Sequence, residues 1–192
     1  MTRMRTLALA AAVLVSAAGT VAEAAPKAPP KLCNLVTDAG GDVLTGNKTL
    51  DVVGGDIATN AKTVTAVIRF AKLSQQDLTS PTGRFYEFTF SYDGRGQSLS
   101  VTLDALGTPT WTQGGTGVID LAKNEIRMHL PVDNLIGRPV LKPNAPLADL
   151  LIRTDLGNPA VPFPSSFLLA GDTAKGTKAY PVNAPSCVKV GA

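Results

Sequence analysis

His129 is the single histidine of this 192-residue chain. Any reaction that needs an imidazole must therefore run through it. A Ser-His-Asp arrangement would depend on it entirely, and most histidine-based metal triads are removed at once. Neither a G-x-S-x-G nucleophile turn nor an H-E-x-x-H helix occurs. His129 falls in a strand-like run beside the Pro131 break, on the face opposite Met128, where it reads as a partly exposed structural histidine. A glycosidase needs two carboxylates flanking a cleft. Glu87 and Glu125 both sit inside strand-like runs, and nothing in their spacing marks a pair. Catalysis is not expected.

The acidic residues suggest different chemistry. Asp38 and Asp42 bracket Gly40 and Gly41, and Asp51 and Asp56 follow within one strand length. Calcium takes six to eight oxygens from carboxylates and backbone carbonyls, and a glycine-rich loop lets carbonyls turn inward. Asp38, Asp42, Asp51 and Asp56 are therefore candidate calcium ligands, with Asp172 in the Gly171-Asp172-Thr173 loop an outside candidate for a fifth. The spacing is not that of an EF-hand. Two readings stay open: a solvated Asp-Gly turn and a cation site. Trp111, inside the Gly- and Thr-rich run Thr108 to Thr116, is the candidate ligand-binding residue, since an exposed indole stacks on sugar rings; core packing is its alternative. Tyr86, Phe88, Phe90 and Tyr92 share one strand face, which suits a core.

Cys33 and Cys187 are the only cysteines and lie near the two ends. In an oxidising compartment such a pair is expected to bridge, placing the termini side by side. That compartment is itself expected from the leader. Arg3 and Arg5 precede an apolar run from Leu7 to Ala18, broken only by Ser16, and Ala22-Glu23-Ala24 has the small-x-small form of a signal peptidase site. The run is far short of the roughly 20 residues that span a bilayer as a helix. Residues 1–24 thus read as a signal peptide, 25–32 as a Pro-rich tether and 33–192 as one domain, in a secreted, extracellular or periplasmic protein with no membrane insertion after leader removal. The chain has 18 basic and 15 acidic residues, or 16 and 14 without Arg3, Arg5 and Glu23. The basic residues are scattered through the sequence, which gives no support to nucleic-acid or anionic-membrane binding.

These side chains must be positioned by strands. Leu50 to Ala58 and Thr63 to Phe70 are rich in β-branched residues, joined by a Thr59-Asn60-Ala61-Lys62 turn. Val64, Ala66, Ile68 and Phe70 share one face of the second run, opposite Thr65 and Arg69, the mark of a half-buried strand. Tyr86 to Tyr92 alternates perfectly, turns at Asp93-Gly94-Arg95-Gly96, and resumes at Leu99, Val101 and Leu103. A third hairpin joins Gly117–Leu121 to Glu125–Leu130. Ala148 to Ile152 is ambiguous between helix and strand, Pro159 to Pro164 reads as loop, and Phe167–Ala170 and Lys178–Tyr180 read as closing strands. Twelve aspartates against Glu23, Glu87 and Glu125 agree with a chain of turns and strands rather than helices. The expected fold is all-β, an antiparallel β-sandwich of jelly-roll or immunoglobulin-like form.

The order Asp38-Ala39-Gly40-Gly41-Asp42, Leu50-Asp51-Val52, Asp56-Ile57 and the strand Thr63 to Arg69 resembles the opening of DOMON-like sandwich modules, which include the family-nine carbohydrate-binding modules. The ending, Gly171 to Ala174 and Ser186-Cys187-Val188, resembles small secreted bacterial proteins of the same build. The resemblance implies sugar binding, haem binding or calcium-stabilised structure. Haem does not carry over: Met128 and His129 are neighbours, neighbours in a strand point to opposite faces, and they cannot flank one iron. The leading expectation is a secreted, non-catalytic binding or surface-associated module, with a polysaccharide or cell-surface component as partner. Its rival is a structural or interaction protein of the cell envelope, stabilised by calcium; a secreted hydrolase is third.

Overall fold

Two-residue alternation builds nearly every element. The computed structural model describes residues 29–43, 46–157 and 169–191, so the leader, the first part of the tether and the Pro159–Pro164 loop lie outside the described residues. In chain order the strands are β1 (Val36–Thr37), β2 (Val52–Thr59), β3 (Thr63–Phe70), β4 (Arg84–Tyr92), β5 (Arg95–Leu103), β6 (Pro109–Trp111), β7 (Thr116–Asp120), β8 (Glu125–Pro131), β9 (Pro146–Leu156), β10 (Leu169–Lys175) and β11 (Tyr180–Pro181), with one helical turn, α1 (Gln75–Leu78). All strand pairs are antiparallel. One sheet runs β1-β2-β3-β8-β7 and the other β10-β9-β4-β5-β6, with β11 pairing β9. The fold is the expected two-sheet, all-β domain.

The β4–β5 turn is tighter than its composition suggested. Tyr92 pairs Arg95, and Asp93 and Gly94 both have positive φ, 51° and 71°. This is the two-residue turn whose twist matches flanking strands. The ambiguous Ala148–Ile152 run lies in β9, a strand held between β4 and β10. Inward residues of the two sheets meet across the middle. Tyr86, Phe88, Phe90 and Tyr92 of β4 are all buried there, and the Phe70 and Tyr86 rings pack edge to face with centroids 5.3 Å apart. Gly55 of β2 marks the closest approach, since a β-carbon there would meet Ile152, Phe88 and the Val67 carbonyl.

One expectation needs correction. β3 is not half-buried: Thr65 and Val67, on its outer face, are as sequestered as Val64, Ala66 and Ile68. The first and last runs of the described residues cover that face. Gly191 N–H donates to Thr65 Oγ1 at 3.1 Å, Leu35 N–H donates to Asp56 Oδ1 at 2.9 Å, and Val188 is buried. Leu32 lies beside Ser186 in a parallel bridge. The expected Cys33–Cys187 disulfide closes there, with the α-carbons 5.3 Å apart.

Candidate functional site

The acid-rich end of the sandwich collects β1, the following loop, the start of β2 and the middle of β10. Residues 46–50 return the chain to β2 through a turn in which Asn47 Oδ1 accepts from Thr49 N–H at 3.1 Å and from the Thr49 hydroxyl at 2.7 Å. That turn delivers Asp51 beneath the loop. Both Asp51 oxygens accept the Gly41 N–H, at 3.0 and 2.8 Å. Gly41 has φ of +96°, a conformation that costs glycine nothing and side-chain-bearing residues a good deal. The loop is thereby folded so that Asp38 and Asp42 face Asp172.

Asp38, Asp42 and Asp172 each offer a carboxylate oxygen, and the three oxygens lie within 4.8 Å of one another. Oxygens bound to calcium at about 2.4 Å are up to about 4.8 Å apart. Asp172 is aimed by Val52 N–H, donating to Oδ2 at 2.8 Å, and by Thr173 N–H, donating to Oδ1 at 2.7 Å. Asp38 Oδ1 accepts from Ala39 N–H at 2.9 Å, while its Oδ2 is shielded from solvent with no hydrogen-bond partner among the described residues. Burial pushes the Asp38 carboxyl above its ordinary value; the Ala39 bond opposes this, and the charges of Asp42 and Asp51 add to it. Burial also raises Asp172 against the bonds from Val52 and Thr173, with Asp38 and Asp42 reinforcing the rise. Mutual repulsion in a partly dry pocket is the setting a divalent cation relieves.

Two proposed ligands have other work. Asp51 shapes the loop from below through Gly41. Asp56 stands apart, fully buried, 2.8 Å from the Arg69 guanidinium and bonded to Leu35 N–H. Its register partner is Val67 in the middle of β3, so it anchors the N-terminal run. Asp172, read from sequence only as an outside candidate, is central. Its Gly-Asp-Thr setting was the signal; the pairing of β10 with β9, irregular between Ala170 and Asp172, sets its position.

The remaining candidates are engaged structurally. His129 Nδ1 lies 2.9 Å from Thr65 Oγ1, and burial, with the Arg127 charge, lowers its pKa. Glu125 pairs with Arg69 at 3.0 Å and Arg127 at 3.6 Å. Glu87 faces outward on β4, its carboxyl raised by burial against a Ser98 bond and the Arg153 charge. The neighbouring Asp155 is ion-paired to Arg153 at 2.9 Å. Trp111 is half-buried against the core, its six-membered ring lying on Gly117, where any β-carbon would collide with it. The outer rim of the indole is thus packed at the β6–β7 edge. No family model matches the chain, and no curated protein matches it.

Proposed function

We propose that this protein works outside the cytoplasm as a non-catalytic structural or interaction module of the cell envelope, its acid-rich end locked by calcium. The observation that carries this reading is the convergence of Asp38, Asp42 and Asp172, with Asp38 Oδ2 sequestered and without a hydrogen-bond partner among the described residues. Three carboxylates from the β1–β2 loop and β10 give a hard cation a reason to bind, and all-oxygen donors suit calcium. The disulfide and the leader motif support an exported location. The bonding of His129 to Thr65 supports a structural histidine over a general base. For the polysaccharide reading, Tyr86, Phe88, Phe90 and Tyr92 are in the core and Trp111 lies against Gly117.

Thermal melting of the leader-free, oxidised chain with calcium and with a chelator tests this. Extracellular calcium modules bind with Kd of about 10⁻⁴ to 10⁻³ M. A tenfold excess over Kd stabilises by about 1.4 kcal/mol, a Tm rise of about 3–5 °C. An unchanged Tm across that range sinks the calcium part of the proposal.

A further inference from the structure

The opposite end of the sandwich has a different character. It is built from the β4–β5 turn, the β2–β3 turn and a strap, residues 132–146, that connects β8 to β9. Leu135 and Leu141 anchor the strap in the core. Gln97 grips its backbone at Ile136, accepting from N–H at 2.7 Å and donating to the carbonyl at 3.0 Å. The Tyr92 hydroxyl accepts from Lys142 N–H at 2.9 Å and donates to the Val140 carbonyl at 3.0 Å. Between these clamps the strap holds Ile136 and Val140 outward, 54% and 81% exposed. A strap whose alternate apolar residues are anchored while two others are held in water is not an unfinished core.

Cations that are far apart in sequence meet at this end. The Arg95 guanidinium lies against Gly137, where a β-carbon would collide with it, and Arg138 follows at once. Lys142 closes the strap, and the Lys62 carbonyl accepts from Val132 N–H at 2.9 Å. All four side chains are exposed, and none forms an ion pair with a carboxylate among the described residues. Asp93, Asp133 and Asp149 are the acids of this end. Open depressions of about 560 and 520 Å³ flank the strap.

Rigidly presented aliphatic side chains at an end where four unpaired cations outnumber three aspartates suit a surface that is anionic at the headgroups and apolar just beneath. We propose that this end docks the protein peripherally on an anionic lipid bilayer, Ile136 and Val140 entering the interface while Lys62, Arg95, Arg138 and Lys142 meet the headgroups. The clamps by Gln97 and Tyr92 leave little ordering to be done on contact. This inference stands independently of the cation reading at the other end.

Vesicle co-sedimentation of the oxidised, leader-free protein tests it, with phosphatidylglycerol–phosphatidylcholine vesicles against pure phosphatidylcholine. The expected result is pelleting with the anionic vesicles only, weakening as salt is raised. Arg95→Glu with Arg138→Glu should reduce binding more than about tenfold. Ile136→Ser with Val140→Ser should weaken it without changing the salt dependence, and Lys48→Glu at the acid-rich end should leave it alone. Melting curves confirm that these exposed substitutions leave the fold intact. Absence of pelleting on anionic vesicles overturns the proposal, as does binding that ignores the Ile136 and Val140 substitutions or is equalled on a soluble polyanion such as heparin.

Discussion

At the residue scale, Asp172 is the side chain on which the cation reading turns. Replacing it with Asn keeps its shape and its bond from Val52 but removes the charge. Asp172→Asn should abolish the calcium-induced rise in Tm, read by the same melting experiment. The pH response follows from Asp38 and Asp172, both raised above the ordinary 3.8 by burial first. A carboxyl whose folded pKa is raised binds its proton more tightly in the fold, so its stabilising contribution is complete below the ordinary value and is lost as pH climbs through the folded one. In chelator, wild-type Tm should therefore fall relative to Asp172→Asn as pH rises from 3.8 upward; a difference that grows in wild type's favour would contradict the assignment. Trp111 makes a separate prediction. With the indole rim against Gly117, Trp111→Ala removes packing at the β6–β7 edge and should cost about 2 kcal/mol, measured by chemical denaturation.

At the element scale, β2 shows how a glycine pair serves packing rather than flexibility. Its register on β3 shifts between Val52 and Gly54, and a β-carbon on Gly54 would press on the Val36 carbonyl of β1. Gly55 faces the other way, into Ile152 and Phe88 of the opposing sheet. Gly55→Ala should destabilise the fold by about 1–3 kcal/mol through overpacking, visible as a lower denaturation midpoint with unchanged slope. β3 was legible as a strand from its alternation, but not as a strand buried on both faces. Thr65 looks solvent-facing in sequence, but His129 and the run around Gly191 both bond its hydroxyl and make it interior. Likewise Ala148–Ile152 carries too few residues for its period to separate helix from strand, and β-pairing on both sides decides it.

At the scale of the whole molecule, the disulfide joins residues 154 apart in sequence. It fastens both chain ends over the outer face of β3. In the chain-entropy description a loop that long stabilises by about 5 kcal/mol, an upper figure. Cys33→Ser with Cys187→Ser should lower stability by up to that amount and speed amide exchange first in the terminal runs and at Thr65 and Val67. Exchange that rises uniformly through both sheets would show that the staple acts elsewhere. Charge is placed on the same scale: Asp38, Asp42 and Asp172 converge at one end, and Lys62, Arg95, Arg138 and Lys142 share the other with Asp93, Asp133 and Asp149.

Local chemistry is enough to determine the clearly alternating strands, a turn that opens at Asp93-Gly94, the expectation of a cysteine bridge and the presence of an acidic glycine loop at Asp38–Asp42. Each depends on neighbours in the chain or, for the two cysteines, on an oxidising compartment that favours their bridge. The tertiary structure alone decided which aspartates meet, because Asp172 of one sheet reaches Asp38 of the other only when the sheets pack face to face, while Asp56, much closer in sequence, is turned to Arg69. It also decided that Arg95 of β5 lies against Gly137, next to Arg138 of the strap. Sequence distance and spatial distance separate in an antiparallel sandwich, where every second turn returns to the same end.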